Sequence, residues 1–111
     1  MPQTIQGLIE QYVSEIKKIY GAHLRQIILY GSYARGDYGP DSDIDIMILT
    51  DLNDEEIVEY RMKVRELACD LELENDIIIS PLVRNVDKYN ERARVIPFYI
   101  NIQKEGVIVH G

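Results

Sequence analysis

Along the first part of the chain the apolar positions recur three and four residues apart. Ile5, Leu8, Ile9, Tyr12, Val13, Ile16 and Ile19 fall on one face of a helix, with Thr4 as its N-cap and Gly21 as its stop. The period then shortens. RQIILY, residues 25–30, is a compact apolar run ending at Gly31 and predicts a strand. DIDIMILT, residues 43–50, predicts a second strand: its first half alternates, and its second half is apolar on both faces, as in a strand covered from two sides. Asn53, followed three residues later by Glu56, predicts a capping box. Ile57, Tyr60, Val64, Leu67, Ala68 and Leu71 then give a second long helix. DIIIS, residues 76–80, reads as a short buried strand closed by Pro81. Residues 85–93 predict a short helix, Pro97 opens another through Lys104 that Gly106 ends, and Val107 to Val109 form an extended tail. This order predicts an α/β or α+β sandwich, a small sheet covered by helices, in a single domain spanning 1–111.

Composition narrows the class. A chain of 111 residues, 46% hydrophobic and 28% charged, fits one globular domain with a modest core. No apolar run approaches the roughly 18 residues that span a bilayer. The start, MPQTIQGLIEQ, lacks the basic region and apolar run of a signal peptide. The single cysteine, Cys69, has no internal disulfide partner and reads as a small buried apolar residue within the second helix. A reducing, cytoplasmic setting with no membrane partner is expected. The net charge of −7 argues against a nucleic-acid-binding face and favours a small anion carried by a metal, or a basic protein.

The chemistry concentrates in GSYARGDYGPDSDID, residues 31–45. In a strand, residues two apart share a face, so Asp43 and Asp45 point the same way while Ile44 enters the core. Two carboxylates on a stiff strand repel each other but make an oxygen clamp for Mg²⁺, completed by water and substrate phosphates. Asp76 reaches the same place if its strand lies beside residues 43–50; alone it could be a strand-start or helix-stop residue. Three carboxylates can hold two Mg²⁺ ions for in-line displacement at phosphorus. Gly31 lets backbone approach a ligand closely, and Ser32 can cap the helical turn that follows, aiming N–H groups at an anion. Arg35 can meet phosphates, meet the aspartates, or lie on the surface. A Gly-Ser, ten residues, Asp-x-Asp string arises by chance in about one chain in a thousand of this composition. The series Asp41, Asp43, Asp45 begins like a calcium-binding EF-hand loop, but the sixth position is Ile46 and the twelfth Leu52, where that loop needs Gly and Glu. His23 and His110 stand alone and read as surface residues; the tyrosines are scattered, and Tyr12 and Tyr60 fit core stripes.

GSYARGDYGPDSDIDIMIL resembles the signature of the DNA polymerase β-type nucleotidyltransferase superfamily, and more narrowly of its minimal members, the MNT or MntA-type antitoxins. The ending PFYINIQKEGVIVHG resembles the end of those minimal proteins, so the likeness covers nearly the whole chain. It implies a nucleotidyltransferase fold with a mixed sheet flanked by helices. It also implies that Gly31 and Ser32 hold the triphosphate, beside which Arg35 is the further nucleotide-binding candidate, that Asp43 and Asp45 bind Mg²⁺, and that Asp76 is the third carboxylate. The activity implied is transfer of AMP from ATP to a hydroxyl, with release of pyrophosphate. The partner implied is a HEPN-domain toxin carrying the accepting tyrosine. Tyr33 departs from the pattern, which often has Arg there. Two alternatives stand beside this reading: an antitoxin acting by occlusion alone, and a small-molecule nucleotidyltransferase. For the second, larger members carry an added domain for the acceptor, which is not expected in this chain.

Overall fold

The computed structural model describes residues 3–111 of the chain. Helix α1, Gln3–Tyr20, buries Leu8, Ile9, Tyr12, Val13, Ile16 and Tyr20, the stripe its spacing predicts. Thr4 already lies inside this helix, so it is not the N-cap. A single 3-10 turn, Gly21–His23, leads into β1, Leu24–Tyr30. A short helix α2, Ser32–Arg35, and a loop connect β1 to β2, Ile44–Thr50. Helix α3, Asp54–Asn75, starts with the expected reciprocal box: the Asn53 side chain accepts the Glu56 N–H, and the Glu56 carboxylate accepts the Asn53 N–H. Then come β3, Ile79–Asn85, α4, Val86–Arg92, α5, Pro97–Glu105, and β4, Val107–His110.

The four strands form one mixed sheet in the order β3-β2-β1-β4. β1 runs antiparallel to both β2 and β4, while β2 and β3 are parallel. The tail foreseen at Val107–Val109 is therefore a sheet strand. β2 lies inside the sheet and is covered on both faces, which explains why its second half is apolar throughout. One face, with Ile27, Leu29, Ile44, Ile46 and Ile48, packs against α1 and α3. The other, with Ile28, Met47 and Leu49, packs against Tyr89 and Ala93 at the end of α4 and Tyr99 and Ile102 of α5. The result is three layers, helices on both sides of a sheet.

Three expectations are corrected. The segment DIIIS is not the third strand: Asp76 is the C-cap of α3, in the left-handed conformation (φ 52°, ψ 42°), and its N–H bonds to the Glu72 carbonyl at 2.9 Å. Helix capping wins over the β-branched run, so Ile78 is exposed and the strand begins at Ile79. Pro81 sits inside β3, where an edge strand tolerates its missing N–H. Cys69 is exposed, because the buried stripe of α3 runs through Val64, Ala68 and Leu71 and the thiol lies one step round the helix from it. His23 is not alone: its Nδ1 lies 2.8 Å from Asp51 Oδ1, and Arg25 donates to the same carboxylate at 2.7 Å.

Candidate active site

The register of β1 against β2 builds the site. Tyr30, the last residue of β1, stands opposite Asp45, the second residue of β2. An antiparallel pair brings the end of one strand to the start of the next, so Gly31 and Ser32 meet Asp43 and Asp45 at one end of the sheet. Asp45 shares a face with Met47 and Leu49, toward α5, while Ile44 and Ile46 enter the opposite core.

Gly31 adopts φ 76° and ψ −155°, a conformation open to glycine, and a Cβ there would overlap the Asp45 carboxylate. The N-cap of α2 is Gly31 rather than Ser32; Ser32 is the first helical residue and its hydroxyl makes no cap bond. The Gly31 carbonyl accepts the N–H groups of Ala34 and Arg35, both at 3.1 Å. The N–H groups of Ser32 and Tyr33 have no acceptor within so short a helix. Gly36, with φ 86°, closes the turn.

Asp45 is half-buried. Burial pushes its pKa up, the Asp43 charge pushes the same way, and Arg35 pulls it back. A carboxylate in that setting favours a cation beside it. Asp43 also faces Tyr33, whose buried ring stacks on Tyr38 with centroids 4.6 Å apart and planes 8° from parallel. Arg35 Nε donates to Asp37 Oδ2 at 3.2 Å and Nη1 to Glu105 Oε2 at 3.5 Å.

Two hollows flank the aspartates. One, about 390 Å³, is bounded by Gly31, Ser32, Arg35 and Asp45 on the sheet side and by Phe98 and Asn101 of α5. The other, about 580 Å³, takes Asp41, Asp43 and Asp76 along with Leu73 and Ile78. Asp43 and Asp45 thus stand on the ridge between them. The structure brings Gly31, Ser32, Arg35, Asp43 and Asp45 together. Asp76 shares only the second hollow with Asp43, and on β3 the residue paired with Asp45 is Ser80. Among the described residues no three His, Cys, Asp or Glu side chains gather closely enough to hold a metal ion. The donor set on the ridge is two carboxylates, all oxygen, which fits Mg²⁺ completed by substrate phosphates. Phe98, Asn101 and Glu105 escaped the sequence reading. Their signal was the helical spacing after Pro97, which puts the three on one side of α5.

Residues 9–109 match the family model described as a nucleotidyltransferase domain. A Methanocaldococcus jannaschii protein provisionally named protein adenylyltransferase MJ0604 is 31% identical over 102 residues, covering 92% of this chain and 94% of the relative. A Sulfolobus solfataricus crystal structure, provisionally described as a nucleotidyltransferase, is 25% identical and superposes with a TM-score of 0.57 over 92% of this chain and 76% of its own. A chain from the crystal structure of a toxin–antitoxin with AMP-PNP has the same fold, with a TM-score of 0.57 at 22% identity, covering 92% of this chain and 73% of its own.

Proposed function

The chain belongs to the nucleotidyltransferase domain family, and on that footing we propose that it transfers AMP from ATP to a hydroxyl of a partner protein, with release of pyrophosphate. The observation that carries the reading is the meeting of Gly31 with Asp45 at a strand end where Asp43 projects beside it. That arrangement offers close backbone approach to phosphate and a carboxylate pair on the ridge between the two hollows. The provisional name of the 31%-identical relative supports a protein as acceptor.

In this reading the triphosphate lies in the hollow bounded by Gly31, Ser32 and Arg35. Ser32 and Tyr33 turn their unpaired N–H groups to phosphate oxygens, and Arg35 exchanges Glu105 for a phosphate. Asp43 and Asp45 would hold Mg²⁺, which when bound would neutralise the phosphates and lower the pKa of the attacking hydroxyl. The acceptor enters from the second hollow, where Asp43 and Asp76 face it. Its oxygen bonds to the α-phosphorus, the bond from that phosphorus to the bridging oxygen breaks, and pyrophosphate leaves opposite the attack. The hydroxyl proton passes to a carboxylate of the second hollow or to water. Positioning and charge neutralisation carry the rate.

The partner we infer is a HEPN-domain toxin, and the acceptor a tyrosine of it, which makes the chain an antitoxin. The support is the resemblance of the minimal members, together with an acidic surface, net charge −7, that suits a basic partner. The test is an intact mass of the neighbouring-gene protein after incubation with the chain, ATP and Mg²⁺. A gain of one or more AMP units, absent with Asp43→Asn, is the expected result. A tight complex without mass change would favour the occlusion-only antitoxin.

A further inference from the structure

We propose that the exposed side of α5 is the seat of the nucleobase, with Phe98 as its stacking surface and Asn101 as the group that reads its edge. This rests on the nucleotidyltransferase reading and extends it to base recognition. Phe98 is the only phenylalanine of the chain and stays 44% exposed at the mouth of the hollow that Gly31, Ser32 and Asp45 line. Its ring is held from two sides without being covered. Tyr30 meets it at 5.9 Å and 88°, and Tyr99 at 5.2 Å and 75°, both edge-to-face. Neither neighbour lies parallel to it, and its exposure leaves ring surface open to a planar ligand.

Asn101 lies one helical turn on and lines the same hollow. Among the described residues nothing hydrogen-bonds its exposed side chain, which leaves an amide donor and acceptor side by side. That pair matches the N6 and N7 edge of adenine, and matches guanine poorly. One turn further, Glu105 holds Arg35. Along α5 the sequence of groups is ring, amide, then the arm aimed at phosphate. From Phe98 to Glu105 the axis rises about 10 Å, the scale on which a nucleotide separates base from phosphates. Tyr99 and Ile102 face the sheet and anchor the helix, so this seat is rigid.

Calorimetric titration of the full chain with ATP, GTP and tripolyphosphate, each with Mg²⁺, tests the proposal. Phe98→Ala should weaken ATP about tenfold or more and leave tripolyphosphate within about twofold, because stacking is lost and phosphate contacts are not. Phe98→Trp should keep ATP affinity. Asn101→Ala should bring the ATP-to-GTP ratio close to one. Equal weakening of ATP and tripolyphosphate by Phe98→Ala would overturn the base seat and make Phe98 a structural support. No change in either would overturn it too, and return the exposed ring to contact with the acceptor protein. A wild-type chain that binds tripolyphosphate as tightly as ATP removes base recognition but leaves the phosphate site. A chain that binds neither overturns the nucleotidyltransferase reading itself, and the base seat with it.

Discussion

The Asp45 carboxylate occupies the space where any side chain on Gly31 would begin. The two residues come together because Tyr30 pairs with Asp45 across β1 and β2, and Gly31 is the next residue along. Gly31→Ala therefore faces two penalties: a Cβ against a carboxylate, and a φ of 76° that an L-residue resists. The Ala variant should displace Asp45, lose transfer by on the order of a hundredfold, and melt at lower temperature. Retention of both activity and melting temperature would show that the strand end relaxes freely and that the contact does not position the carboxylate.

Asp43 and Asp45 should separate fold from activity. Burial and the Asp43 charge push the Asp45 pKa up, so the charged pair opposes folding when no cation is present. Asp43→Asn and Asp45→Asn should each lower transfer by on the order of a hundredfold or more. In metal-free buffer neither should lower the melting temperature, and Asp45→Asn should raise it. Added Mg²⁺ should stabilise the wild type and not the variants. An active Asp43→Asn chain would sink the metal assignment.

Asp76 sits at the end of a helix, not on a strand beside Asp45. If it faces the acceptor rather than the metal, Asp76→Asn should cost less activity than Asp43→Asn, with the loss in acceptor KM. Asn accepts the left-handed cap conformation, so the fold should hold. Asp76→Gly should stabilise the chain by up to about 1 kcal/mol, since Gly takes that conformation without penalty. A loss of metal affinity equal to that of Asp43→Asn would instead make Asp76 a third ligand.

Arg35 is shared between Asp37 and Glu105. A triphosphate must displace at least the longer contact, to Glu105. Arg35→Ala should raise KM for ATP about tenfold with little change in melting temperature, since the pairs it breaks are exposed. Glu105→Gln should lower KM a few-fold by freeing the guanidinium. Steady-state kinetics over ATP concentration decides; a higher KM in Glu105→Gln would mean that Glu105 orients Arg35 instead of competing for it.

How far the sequence could be read follows from how local each signal is. The Gly31–Asp45 site was legible because its residues share one short string, and a strand, a turn and a second strand fold it onto itself. The α3 capping box was legible for the same reason: Asn53 and Glu56 need only each other. Asp76 was ambiguous because three isoleucines look like a strand whether or not the preceding helix claims the aspartate as its cap. That β3 lies beside β2 could only be assumed from the sequence, and its register, Asp45 beside Ser80, depends on where that helix stops. The part played by Phe98 and Asn101 was illegible, because which side of α5 meets the hollow is fixed by Tyr99 and Ile102 packing on the sheet.

The tyrosines make the last prediction, on alkaline stability. Tyr12 is buried with no partner for its hydroxyl among the described residues, and burial pushes its pKa up. Tyr20, buried beside Tyr60, is pushed up to about 12. Tyr30 is also pushed up to about 12, by burial first and then by the Asp45 charge. Unfolded tyrosines ionise near about pH 10. Above that pH the unfolded chain releases protons that the native chain retains, so the neutral-phenol contribution is complete below about pH 10 and drains away toward about pH 12. The melting temperature should be level approaching pH 10 and fall steeply beyond it, with tyrosinate absorbance from these rings appearing only as the fold is lost. Tyr12→Phe removes a buried hydroxyl with no partner among the described residues, so it should be neutral or stabilising by up to about 1 kcal/mol at neutral pH, and should soften the alkaline fall. Tyrosinate absorbance from these rings rising near pH 10 in a chain that stays folded would show that water reaches their hydroxyls, and that the packing of α1 and α3 over the sheet is looser than the buried stripe implies.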